Sequence, residues 1–259
     1  MKKATVYTDG AATLYHADFL DAAGSIQDNS IDFVFTDPPF ELTGGGMKHS
    51  KLSYQGGEIF CKNGFSTKGI EFQKWVPEIY RVLKHGRYFY VMSNDRNLFS
   101  LHAACMENHF QFCELLVMDK KMTVPSTYYP KRAEFILMYR KGNYRKTRFC
   151  GSTIIETKIP RGKEKRHPTE KPVSMIEHFI NCSTLENEIC LDPFMGSCPV
   201  GEACLLTGRK FIGVEIEKKW FQTSQERIAA IHRKIPTTPQ TGGDRPWSST
   251  KPVTKLHRK

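Results

Sequence analysis

Apolar residues along this chain recur in two rhythms. Short runs rich in β-branched and aromatic residues stand at ATLYHADFL (12–20), IDFVFT (31–36), RYFYVMS (87–93), FQFCELLVM (110–118), AEFILMYR (133–140), EICLDPF (188–194) and KFIGVEI (210–216). Their length and bounding turn residues predict strands. Helical spacing of apolar positions marks 71–84, 95–108, a segment opened by Pro172, 199–207 and 217–233, with a short helical turn before residue 31. The alternation predicts an α/β fold, a mostly parallel sheet flanked by helices. No internal repeat interrupts it.

The IDFVFT strand ends abruptly at Asp37-Pro38-Pro39-Phe40. Proline fixes φ and has no N–H to donate, so the chain leaves the sheet there in a stiff turn, expected to be exposed. The carboxyl end of a strand in an open α/β sheet is where ligands bind. Residues 41–70 follow with seven glycines and scattered Lys and Ser, too long for an ordinary connection, and read as a mobile lid. No Lys-Ser/Thr stands at phosphate-loop spacing after them.

With 259 residues and 39% hydrophobic composition, the chain suffices for one sizeable domain. We expect it over 1–232, with 233–259 a basic, Pro- and Ser-rich disordered tail. No apolar stretch approaches the roughly 20 residues that span a bilayer, and the eight cysteines form no C-x-x-C pair. Both favour a soluble protein of a reducing cytoplasm that uses no membrane. The net charge of +11 is uneven: Arg140–Lys171 carries eleven Lys/Arg against three Glu, and Arg233–Lys259 seven against one Asp. A near-neutral body with two basic segments suits a polyanionic partner, nucleic acid before membrane.

A second strand end carries chemistry. In LDPFMGSCPVG (191–201) a strand gives way to a turn of small residues and then a helix, so backbone N–H groups there can meet a polar ligand. About twenty residues later Glu215 ends the next strand, positioned as the acid that grips ribose hydroxyls in Rossmann-like folds. His102, Cys105 and His109 could share a helix face, yet three side chains on one helix do not close a metal site, and no metal is expected.

Together these motifs resemble the amino-methyltransferases of DNA. Asp37, Pro38, Pro39 and Phe40 are similar to the family's catalytic D/N/S-P-P-aromatic motif. Asp192, Pro193, Phe194, Gly196 and Ser197, with Glu215, resemble its S-adenosylmethionine site. His167, Lys171 and Pro172 of HPTEKP are similar to an element that accompanies that site, and Asp18 falls where the family places an acid near the cofactor adenine. RVLKHGRYFYVMS and AEFILMYRKG extend the likeness over residues 12–232. With the catalytic motif before the cofactor turn, the order is that of the permuted beta class. The resemblance implies a Rossmann-like, seven-stranded, mostly parallel sheet. The third turn glycine is here Cys198, whose side chain is expected to approach the cofactor's methionine end. The resemblance leaves the oligomeric state open, a homodimer included.

On that resemblance Phe40 stacks on a base flipped out of double-stranded DNA, and Asp37 and the Pro38 carbonyl accept hydrogen bonds from its amine. Asp37 favours adenine N6 over cytosine N4, the near alternative. RNA or protein methylation would fit Asn better than Asp there, and a non-catalytic DNA-binding protein is the reading from another class. DNA phosphates are assigned to a basic insert over 141–166, through Arg145, Lys146, Arg148, Lys163, Lys165 and Arg166, with the 145–148 loop expected beside the flipped base.

Overall fold

The computed structural model describes residues 4–39, 71–124, 128–143, 150–157 and 170–233. In these, nine strands form one sheet: β1 (Thr5–Asp9), β2 (Ala12–His16), β3 (Ile31–Thr36), β4 (Leu83–Ser93), β5 (Phe110–Val124), β6 (Lys131–Lys141), β7 (Ile154–Glu156), β8 (Ile189–Asp192) and β9 (Lys210–Glu215). Their order is β1-β2-β9-β8-β3-β4-β6-β5-β7. Strands β2, β9, β8, β3 and β4 run parallel, and β6 and β5 form an antiparallel hairpin beside β4.

Seven of the strands are those the apolar runs predict, and two more close the edges. Strand β1 folds back on β2 through a two-residue turn opened by Gly10 at φ +55°. Glycine at the first turn position is a hairpin signal present in the sequence and not used above. Strand β7 has three residues and pairs with β5. Nothing in its composition marks it.

Among the described residues six helices cover the sheet: α1 (Phe19–Ala23), α2 (Phe72–Val82), α3 (Leu98–Glu107), α4 (Val173–Ser183), α5 (Pro199–Leu206) and α6 (Lys218–His232). Helices α1 to α3 pack on one face and α4 to α6 on the other, each layer with its own apolar cluster. Burial on both faces explains why β3 reads as a continuous apolar run, every residue of it buried. The buried Asp32 in that run is neutralised at the amino end of the sheet by Lys84 and Arg87, at 2.9 and 2.8 Å.

One expectation shifts. Lys141, assigned to the DNA-contact insert, is buried and donates to the Leu83 carbonyl and Asn29 side chain at 2.8 Å each. It fastens the end of α2 to β6, so the basic insert begins after it. His102 bonds the Tyr139 hydroxyl at 2.9 Å and Cys105 is fully buried, which makes that helix face a packing surface. The glycine-rich 41–70 segment lies outside the described residues.

Candidate active site at the switch point of the sheet

Strand order gathers four carboxylates that are far apart in sequence. Parallel neighbours β2, β9, β8 and β3 lead at their carboxyl ends to Asp18, Glu215, Asp192 and Asp37. From β8 the chain continues through α5 to β9 on one side, and from β3 through α2 to β4 on the other. The topological switch point therefore lies between β3 and β8, where open α/β sheets bind ligands. A cavity sits there, lined by Asp37, Lys171, Asp192, Gly196 and Ser197 together with the apolar Phe35 and Ile176.

Asp192 holds the two sides together. Its Oδ1 accepts from the Thr36 hydroxyl at 2.8 Å and from the Phe194 N–H at 3.1 Å, tying the ends of β3 and β8. Burial pushes its pKa up to about 7 against those two hydrogen bonds. Glu215 is arranged likewise: Oε2 accepts from the Gly196 N–H at 2.9 Å and Oε1 from the Glu217 N–H at 2.7 Å. Burial still wins and its pKa also rises to about 7. Pro193 and Phe194 carry the turn between the two acids, and Gly196 takes φ +52° in it.

Cys198 occupies a left-handed position, φ +65°, at the start of α5. Its thiol does not approach the cavity. The sulfur is fully buried and stands 2.3 Å from where a Cβ on Gly201 would lie, so it fills the space that Gly201 leaves against β9. The expected crowding of a ligand is thereby corrected: the departure from glycine is compensated inside the helix.

Asp37 sits against the cavity half-buried and Pro38 is buried, so the turn is stiff but inset rather than exposed. Burial raises the Asp37 pKa despite the Lys171 ammonium 2.8 Å from Oδ2. Lys171, grouped above with the cofactor residues, points that ammonium at Asp37 and at Glu134 Oε2, 3.1 Å away. Pro172 ends the segment as the N-cap of α4. Asp18 lies beside β9, where the Ala17 N–H bonds the Glu215 carbonyl, but its own Oδ1 caps α1 through the Leu20 N–H at 2.8 Å.

Two site residues escape the motif reading. Glu134 is the acidic member of the AEFILMYR run, and the hairpin geometry brings it to Lys171. Arg227 pairs with Glu170 and Glu202 and donates to the Ser197 carbonyl at 2.8 Å, tying the HPTEKP segment to the LDPFMGS turn. It falls on the buried face of α6 with Ser224, Ile228 and Ile231. An arginine at an apolar position of a helix is itself a signal of a buried partner.

Phe40, His167 and all six assigned DNA-binding residues lie outside the described residues, but the ends that bound them are visible. Before residues 144–149, Lys141 of β6 pairs with Phe110; after them, the Cys150 thiol hydrogen-bonds that of Cys182 near the end of α4. The Lys141 end lies at the edge of the sheet opposite Asp37, roughly 20 Å along β6 from Glu134. Residues 158–169 differ: they run from Thr157, bonded to Asp119, to Glu170 in the cavity wall, so they begin and end on the active edge. The β5–β6 hairpin projects past that edge and exposes Tyr128 and Tyr129, at 89% and 85%.

This geometry agrees with relatives. A family model described as DNA methylase, of the N6/N4 type, matches residues 31–226, and the chain belongs to that family. The Type II methyltransferase M2.LlaDCHI of Lactococcus lactis subsp. cremoris is 29% identical over 245 residues, spanning 86% of this chain and 91% of that one. The structure of M1.HpyAVI in complex with SAM superposes with a TM-score of 0.63 at 25% identity, covering 84% of this chain and 98% of that one. The cytosine-N4-specific PvuII DNA methyltransferase shares the fold, with a TM-score of 0.67 at 18% identity over 88% and 93% of the two chains.

Proposed function

We propose that this DNA methylase transfers a methyl group from S-adenosylmethionine to the N6 amine of adenine in double-stranded DNA. One observation carries the reading: Asp37, at the end of β3, and the Gly196–Ser197 turn, after β8, line one cavity at the switch point. The cavity suits the cofactor. Buried carboxylates whose ionisation is held back by desolvation favour hydroxyl donors and a positively charged ligand, and Glu215 and Asp192 are such groups. Glu215 would hold the ribose, and the turn from Phe194 to Ser197 the methionine end. When bound, S-adenosylmethionine supplies an electrophilic methyl group on a sulfonium.

The rest is done by the chain. An exocyclic amine is a poor nucleophile because its lone pair is delocalised into the ring, and within a duplex it is out of reach. Phe40 would stack on the flipped base, recovering part of the few kcal/mol that unstacking costs. Asp37 Oδ1 and the Pro38 carbonyl would each accept an amine N–H, turning the lone pair out of the ring plane. Prolines on either side of that carbonyl keep the acceptors in place, so the rate gain comes from orientation and electrostatics.

Aspartate at position 37 favours adenine. Replacing Asp37 with Ala should reduce methyl transfer by about 3 kcal/mol or more in barrier height and leave cofactor affinity nearly unchanged. Calorimetry with the cofactor and nucleoside analysis of DNA methylated by the native protein test both parts. Transfer that survives Asp37→Ala overturns the mechanism, and N4-methylcytosine in place of N6-methyladenine overturns the choice of base.

A further inference from the structure

Lys171 is held between two carboxylates that come from strands separated in the sheet. Its ammonium lies 2.8 Å from Asp37 Oδ2, at the end of β3, and 3.1 Å from Glu134 Oε2, on β6. Strand β4 runs between those two, so the lysine bridges over its end. Glu134 is braced in turn by Lys120 of β5, 3.4 Å from Oε1. The Lys171 side chain is itself little exposed, at 13%. Two acids and two bases thus balance one another at the wall of the cavity, with Glu170 and Asp192 as the further charged groups lining it beside Asp37.

We propose that Lys171 and Glu134 are positioning residues for Asp37: the lysine keeps its carboxylate ionised and anchors Oδ2, and the glutamate draws the lysine off Oδ1, leaving that oxygen for the target amine. This rests on the function proposed above, and it assigns Lys171 to the acceptor of the amine rather than to the cofactor. A half-buried carboxylate without a cation favours its neutral form, which accepts poorly. A lysine with no second acid would be free to sit across both oxygens of Asp37 and compete with the substrate. Glu134 prevents this by offering a second acceptor on the far side of the ammonium.

The two neighbours act on Asp37 with opposite sign. The positive charge of Lys171 lowers its pKa and the negative charge of Glu134 raises it. Removing the lysine should therefore move the acidic limb of the pH–rate profile to higher pH, and removing the glutamate charge should move it to lower pH.

The experiment compares the full-length native protein with Lys171→Met, Lys171→Arg and Glu134→Gln. Single-turnover methylation of a DNA duplex is followed across pH, cofactor affinity is measured by calorimetry, and Asp37 is titrated directly by carbon-13 NMR of labelled aspartate. We expect Lys171→Met to lose about a hundredfold or more in rate at pH 7, on the scale of a lost electrostatic contact in an active site. Lys171→Arg should restore part of that rate, and Glu134→Gln should lose less. The limbs, and the Asp37 titration, should move in opposite directions for Lys171→Met and Glu134→Gln, with cofactor affinity within about twofold of native. A role in packing alone would move neither limb. Limbs that stay fixed or move together overturn the proposal, as does a tenfold loss of cofactor affinity in Lys171→Met. If Lys171→Met does not fold, Glu134→Gln and Lys171→Arg still decide it by the direction and size of the Asp37 shift. Should the native protein methylate no DNA, the function is wrong, and the NMR titration still reports whether the pair governs Asp37.

Discussion

Two aspartates on one strand have opposite fates. Asp32 and Asp37 belong to the same IDFVFTD run, yet Asp32 is buried between Lys84 and Arg87 at the amino end, while Asp37 faces the cavity. Position along the strand decides, because ligands meet parallel sheets at the carboxyl end. Glu215 at the neighbouring strand end yields a pH prediction. Its pKa is raised to about 7 by burial, and on the function proposed above the ionised form would be the one to accept from ribose hydroxyls. Cofactor affinity should therefore weaken by about tenfold between pH 8 and pH 6, as one proton must be displaced on binding. Glu215→Gln should flatten that dependence and weaken binding at pH 8 by roughly 1.5–3 kcal/mol, measured by calorimetry. A slope left intact in the variant would assign it to Asp192. Fold stability has the reverse sign. A carboxyl whose folded pKa is raised binds its proton more tightly in the fold, so its contribution is present at low pH and lost as pH rises toward about 7.

At the scale of elements, the turn into α5 shows how a missing glycine is accommodated. Cys198 takes a left-handed backbone at some strain and directs its sulfur toward Gly201, where a Cβ would come within 2.3 Å of it and 2.8 Å of Phe211. The two positions are coupled. Gly201→Ala alone should destabilise by about 1–3 kcal/mol through overpacking, and Cys198→Gly should relieve part of that. A double-mutant cycle by chemical denaturation should return a favourable coupling of about 1 kcal/mol. Strict additivity would show that the sulfur does not occupy that space. Helix α5 must stay seated, since the turn before it carries Gly196 and Ser197.

For the whole molecule, the charge surplus lies in segments whose attachment points are known. Residues 158–169, which include Lys163, Lys165 and Arg166, are flanked by Thr157 and Glu170 on the active edge, whereas residues 144–149 follow β6 at the opposite edge. Charge reversal at Lys163, Lys165 and Arg166 should therefore damage DNA binding more than reversal at Arg145, Lys146 and Arg148. Each lost phosphate contact should flatten log affinity against log salt by about 0.9 for duplex DNA. Deleting 234–259 should reduce affinity and slope without altering which sites are methylated, because phosphate contacts do not read sequence. Binding isotherms over a salt series and mapping of methylated sites check all three. Equal damage from the two loops would mean that DNA wraps to the far edge.

The linear chain by itself determined the fold class, seven strands, the helices between them and the residues at two strand ends. These depend on local periodicity and turn chemistry, which act over a few neighbours. It also supplied the surplus of positive charge and the Asp-Pro-Pro motif. Only the tertiary structure decided who meets whom. That Lys171 joins Asp37 to Glu134 follows from the hairpin lying beside β4. That Cys198 points away from the cavity follows from the space above Gly201. That β6 ends at the edge opposite Asp37 follows from its running antiparallel to β4. In each case the direction of a side chain or strand, which no local pattern encodes, sets the outcome, and for Lys171 and β6 the deciding contact joins segments tens of residues apart.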